Sequence, residues 1–163
     1  LLLQKLSGGW TTMKFFSVYR SSLADFWTYP RFVLHVLGHT GYSHYIGNMM
    51  MILVVGPPLE EKYGSRSLLL AIFLTALISG MVQWLFFPGT ALLGASGIVF
   101  MMIVMSSLSG MKEGCIPITL ILVLVLYVGR EVVDGVVLSD NVSQLTHIIG
   151  GLCGALFGLS VRR

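Results

Sequence analysis

Five apolar runs, separated by short turns rich in proline, glycine or charge, limit what this chain can fold into. They are residues 42–56, 68–87, 92–109, 116–133 and 142–161. A helix that crosses a bilayer needs about 20 mostly apolar residues. Soluble domains carry about 25% charged residues, whereas this chain is 10% charged and 55% hydrophobic. The expected fold is an all-α polytopic membrane protein, a helical bundle forming one membrane domain over residues 1–163. Residues 1–41 are its outer, interfacial loop segment and residues 42–163 its transmembrane helices.

The first 41 residues mix Trp10, Phe15, Phe16, Tyr19, Phe26, Trp27, Tyr29 and Phe32 with Lys14, Arg20 and Arg31. Aromatic rings with basic residues suit the membrane–water boundary. Leu1-Leu2-Leu3 reads as the tail of an earlier apolar helix. Pro57-Pro58 is expected to close the first run, because proline removes a helical hydrogen bond. Cys115 and Cys153 fall at or in apolar runs and read as small buried hydrophobes. The net charge of +3, without a basic cluster, gives no nucleic-acid footprint.

Basic residues orient the bundle. Lys62, Arg66, Lys112, Arg162 and Arg163 fall on one side if every run crosses, which makes that side cytoplasmic. The first, third and fifth runs then enter from the outer face. His44 and Asn48 lie near the start of the first, Ser96 near the start of the third, and His147 near the start of the fifth. At 1.5 Å rise per residue all four lie roughly 3–10 Å below the outer boundary. Polar groups at that depth are costly and face the bundle interior.

A serine between glycines is, by itself, most simply a packing residue whose hydroxyl bonds its own helix. At the same depth as a histidine it becomes a candidate nucleophile with its base. Ser96 is the expected nucleophile and His147 the base. His44 and Asn48, spaced i, i+4, project from one helix face. With the backbone N–H groups of Ala95 and Ser96 they form a candidate oxyanion site, since a helix starting there leaves those groups without intrahelical acceptors. Gly150 and Gly154 follow His147 as G-x-x-x-G, a pattern that lets helices approach closely. No acidic residue accompanies His147 at that depth, so a dyad is expected. His35 and His39 are assigned a structural, loop-ordering role; no metal site and no cofactor are expected.

These residues resemble the motifs of the rhomboid intramembrane serine proteases. His44-Tyr45-Ile46-Gly47-Asn48 matches H-x-x-x-N, Gly94-Ala95-Ser96-Gly97 matches G-x-S-G, and His147-Ile148-Ile149-Gly150 with Gly154 resembles the last-helix histidine motif. The resemblance extends through Arg31, His35, His39, Glu60 and Gly64. It implies a six-helix core, of which about five spans are present and the first helix is largely missing. It implies a serine endopeptidase in which Ser96 and His147 form the dyad, His44 and Asn48 serve as oxyanion donors, and Gly94, Gly97, Phe100, Gly150 and Gly154 support them. The implied partners are single-pass or polytopic transmembrane substrates and the lipid bilayer. The expected location is a multi-pass place in the cell membrane, a bacterial cytoplasmic membrane, with the site opening outward. The alternative is an inactive relative that binds transmembrane helices without cutting them; the presence of both Ser96 and His147 argues against it. The family commonly has a tyrosine where Phe100 stands, and a Trp-Arg pair where Pro30-Arg31 stands.

Overall fold

The computed structural model describes residues 2–109 and 141–160, with Ile118, Ile121 and Val125 between them. In chain order the helices are α1 (Leu2–Leu6), α2 (Trp10–Phe15), α3 (Thr28–Leu34), a 3₁₀ turn (His35–Leu37), α4 (Tyr42–Tyr63), α5 (Ser65–Phe86), α6 (Ser96–Ser109) and α7 (Asn141–Ser160). Among the described residues the only β-type pairing is a single antiparallel bridge between Val18 and Leu92.

α6 is the centre. Every residue from Gly97 to Met105 is buried, as expected of a helix that is apolar all round. Met101 and Met105 are fully enclosed, at 0% exposure. They join Ile98, Met102, Leu59, Ala71, Ala76, Ile149 and Cys153 in one core. The methionines of α6 are therefore packing residues, whereas Met50 on α4 is exposed.

α5 shows what solvent this fold is built for. Its buried positions are Leu68, Ala71, Thr75, Ala76, Ser79, Gly80 and Gln83, one helical face made mostly of small and polar residues. Its exposed positions include Leu69, Leu70, Phe73, Ile78, Met81, Leu85 and Phe86. A helix in water would reverse that arrangement; helices in lipid put small residues at their interfaces. α5 is also the one helix among the described residues that is long and apolar enough to cross a membrane. α6 and the segment Leu145–Ser160 are shorter apolar helices.

Small residues let α6 and α7 touch along their backbones. A Cβ on Gly150 would strike the Gly97 carbonyl, with the carbonyl carbon 3.0 Å away. One on Gly154 would stand 3.1 Å from both the Cα and the carbonyl carbon of Met101. One turn of α6 separates these contacts, as four residues separate the glycines on α7. Gly80 plays the same part between α5 and α3, where a Cβ would lie 2.7 Å from Phe32 Cα.

The boundaries of the expected runs need several corrections. α4 does not end at Pro57-Pro58; the helix continues through both to Tyr63. The prolines sit on an exposed face, while Leu59 and Tyr63 beyond them are buried. Packing of those two side chains outweighs the lost hydrogen bonds. The helix stops at Gly64, whose φ of 80° suits glycine. Ser65 then donates to Glu60 across the turn, 2.6 Å. The third run begins as a helix only at Ser96, because residues 92–95 form the bridge and the loop that enter it. The fourth run, 116–133, lies outside the described residues except for the three isolated positions, as do Cys115 and most of the loop at 134–141.

Lys62 donates to the Ser109 carbonyl, so the C-terminal ends of α4 and α6 share the end of the bundle that also holds Arg66. Ser96 is at the opposite end.

A side chain at position 154 has backbone on its far side that cannot yield. Replacing Gly154 by valine is expected to lower stability by about 1–3 kcal/mol, the usual cost of overpacking. Gly47, which has nothing within 4 Å of a Cβ, serves as the control. Thermal melts in detergent should show a lower Tm for Gly154→Val and an unchanged or higher one for Gly47→Ala.

Candidate active site

The site forms where α4, α6 and α7 meet at the end opposite Lys62. Gly94, with φ 124°, occupies backbone space suited to glycine. Its N–H donates to the His35 carbonyl, 2.9 Å. The Ala95 carbonyl accepts from Val99 N–H, 3.0 Å, which makes Ala95 the residue that opens α6. The N–H groups of the first turn of such a helix have no intrahelical acceptor. Ser96 follows, half-buried.

The His44 ring lies against Gly94. A Cβ there would stand 2.8 Å from His44 Cε1 and 3.1 Å from Nε2. The first glycine of Gly94-Ala95-Ser96-Gly97 is thus required twice, by its positive φ and by this ring. Thr40 Oγ1 is 3.3 Å from His44 Nδ1. The second glycine, Gly97, makes room for α7: its Cβ would lie 2.8 Å from Thr146 Cγ2. Thr146 immediately precedes His147, so the residue after Ser96 touches the residue before His147.

His147 is buried at 8% exposure. Its ring and that of Phe100 have centroids 5.8 Å apart at 36°. Phe100 therefore packs against His147 without the hydroxyl that a tyrosine would carry. Gly151 admits the same ring, with Phe100 Cε1 2.8 Å from a Cβ there. Gly150 and Gly154, one and two turns beyond His147, set its helix against α6 as described.

Asn48 is buried, and its Nδ2 lies 3.1 Å from His39 Nε2. Residue spacing did not reveal that pairing, since it crosses the non-helical turn before α4. His39 and His44 have ring centroids 5.1 Å apart.

Polar groups order the segment before α4 and tie it to the bundle: buried Arg31 holds the segment together, while buried His35 and exposed Arg20 reach α5. Arg31 is 3% exposed. It donates to the Lys14 carbonyl at 2.6 Å and to Asp25 at 3.1 Å, and it lies over the Tyr19 ring. Pro30 sits in the first turn of α3, where a missing N–H costs nothing. Trp27 packs on Phe15, with centroids 4.7 Å apart. Arg20 donates to the carbonyls of Trp84 and Leu85 at the end of α5. His35, at 1% exposure, donates from Nε2 to the Ala76 carbonyl, 3.1 Å, while its own carbonyl holds Gly94. His35, His39 and His44 thus bond three different sets of protein groups.

An inside-out membrane-length helix, with a serine, two histidines and an asparagine gathered where three helices meet, defines a helical membrane protein with a polar site at one end. The chain belongs to the rhomboid family: residues 26–163 match the Rhomboid domain. Members of that family are embedded in membranes. Rhomboid-related protein 1 of Caenorhabditis elegans is 33% identical over 143 residues, covering 80% of this chain and 39% of that protein. Rhomboid-like protein 11, chloroplastic, of Arabidopsis thaliana is 28% identical over 145 residues, covering 83% and 52%. Rhomboid protease GlpG of Pectobacterium atrosepticum is 28% identical over 131 residues, covering 77% and 46%. The chain spans about half the length of these relatives. They come from animal, chloroplast and bacterial settings, so the similarity does not support the expected bacterial cytoplasmic membrane.

Burial pushes the His35 imidazole down from 6.5 to about 4, opposed in part by its bond to Ala76. The unfolded chain therefore binds this proton more readily than the folded one. The stability that His35 contributes is complete above pH 6.5. It shrinks as pH falls and is gone by about pH 4, a loss of about 3 kcal/mol. Melting in detergent at pH 7 and pH 5 should show a steeper acid loss for the wild type than for His35→Gln; equal losses would contradict this.

Proposed function

We propose that this chain is an intramembrane serine endopeptidase that cleaves transmembrane segments, working as a polytopic bundle with a Ser96–His147 dyad. The observation that carries the reading is the convergence around the start of α6: His44 against Gly94, Thr146 against Gly97, and Phe100 on the His147 ring. Membership of the rhomboid family supports it.

In this reading Ser96 Oγ attacks the scissile carbonyl as its proton passes to His147. The carbonyl oxygen becomes an oxyanion held by the backbone N–H groups of Ala95 and Ser96, by His44 and by Asn48. A Thr40 hydroxyl that donates to His44 Nδ1 leaves the ring hydrogen on Nε2, on the side facing Gly94. The intermediate collapses, the peptide C–N bond breaks, and His147 gives its proton to the leaving amine. Water, deprotonated by His147, then attacks the acyl ester, and Ser96 takes the proton back.

Hydrolysis needs water, so the site opens toward the outer face as a wet cavity. Non-helical backbone is tolerated at membrane depth where protein or water satisfies it, and residues 92–95 are of that kind. A substrate helix hides its scissile carbonyl in its own hydrogen bonds. It must unwind locally, so cleavage falls near the outer end of a transmembrane segment, beside Gly, Pro or polar positions.

The test is purified protein in liposomes with a single-pass substrate carrying glycine near its outer end. The wild type should cut there, as mapped by mass spectrometry. Ser96→Ala and His147→Ala should each abolish cutting with Tm unchanged, and the double variant should be no worse than either. Cleavage by a folded Ser96→Ala protein would overturn the assignment. Absence of cleavage by the wild type, with the substrate still bound, would favour a helix-binding protein without protease activity.

A further inference from the structure

We infer that His39 is a positioning residue that fixes the amide of Asn48 and thereby presents an N–H to the oxyanion. The inference rests on the protease reading above and deepens it by adding a residue that acts through Asn48.

The proton arrangement follows from the partners. His39 Nδ1 is 3.2 Å from the Leu37 carbonyl oxygen. A carbonyl can only accept, so Nδ1 carries the hydrogen. Burial holds the His39 ring below its ordinary value, which keeps it neutral near pH 7. Nε2 is then a bare acceptor, and at 3.1 Å it takes a hydrogen from Asn48 Nδ2. The opposite amide orientation would set the Asn48 oxygen against the Nε2 lone pair. One Nδ2 hydrogen is committed to His39, the amide sense is fixed, and the second hydrogen remains for the cleft.

The ring that does this is itself held. Rings of His44 and Tyr45 flank it, with centroids 5.1 Å and 5.3 Å away. The turn before it is pinned at Gly38, where a Cβ would meet the Phe16 carbonyl and would stand 3.1 Å from Leu93 Cβ. Gly38 N–H also bonds the His35 carbonyl at 3.0 Å. A pinned turn, a fixed tautomer and a buried amide make a preorganised donor, and a donor that need not reorient is the kind that stabilises charge in a transition state.

The test compares wild type, Asn48→Ala, His39→Leu, His39→Gln and the Asn48→Ala/His39→Leu double variant, with kcat and KM on one substrate and Tm for each. His39→Leu should lower kcat about 10-fold or more with KM unchanged within about twofold, as removal of an orienting outer partner does elsewhere. The double variant should match Asn48→Ala alone. His39→Gln, whose side-chain oxygen can accept the same hydrogen, should recover most of the rate. Losses that multiply in the double variant, a change in KM alone, or a glutamine variant as slow as the leucine one would overturn the inference. If His39→Leu does not fold, the rate of His39→Gln relative to Asn48→Ala decides, a rate as low as Asn48→Ala counting against it. A drop in kcat for Asn48→Ala with none for His39→Leu sinks the His39 role and leaves the protease reading standing. An unchanged kcat for Asn48→Ala removes both roles, and a wild type without activity removes the protease reading as well.

Discussion

Backbone-to-backbone contact between α6 and α7 is the constraint on which the rest depends. Gly97 against Gly150, and Met101 against Gly154, bring two helices so close that no side chain fits between them. His147 sits one turn before Gly150 on α7, and Ser96 is the residue next to Gly97 on α6. The same contact that holds the two helices therefore sets the distance between the two groups proposed to react. In lipid there is little hydrophobic force to drive helices together, and close van der Waals packing takes its place. α5 follows the same rule, with small and polar residues inside and large apolar ones outside.

The segment before α4 frames the site that α4, α6 and α7 form. Arg31 and His35 each leave water to bond carbonyl oxygens, while Arg20 bonds the end of α5 from the surface. A buried charge of this kind is tolerated only when its donors are satisfied, and Arg31 has the Lys14 carbonyl, Asp25 and the Tyr19 ring. His35 links two parts of the site frame, its ring on α5 and its carbonyl on Gly94. This fixes the loop that delivers Ser96 to the start of α6.

Much of this was readable from residue order. Helical spacing put His44 and Asn48 on one face, and Gly150 and Gly154 announced a close helix contact; the alternation of span direction that set Ser96 and His147 at one depth runs through residues 116–133, almost all outside the described residues. The failures have physical causes. Proline's local penalty suggested that α4 ends at residue 56, but burial of Leu59 and Tyr63, which local rules do not see, carries the helix to Tyr63. Apolar character alone began the third run at residue 92; backbone pairing with Val18 and the positive φ of Gly94 delay the helix to Ser96. The His39–Asn48 bond spans an irregular turn and has no periodic signature.

The proposed dyad requires that His147 make Ser96 nucleophilic. The most direct measurement is covalent labelling of the folded protein with a fluorophosphonate, followed by mass spectrometry of the adduct. A nucleophilic serine should carry the label at Ser96 alone, with fluoride released, and His147→Ala should slow labelling by at least about 100-fold. Labelling that spreads over other serines, or that proceeds at the same rate without His147, would rule out the dyad.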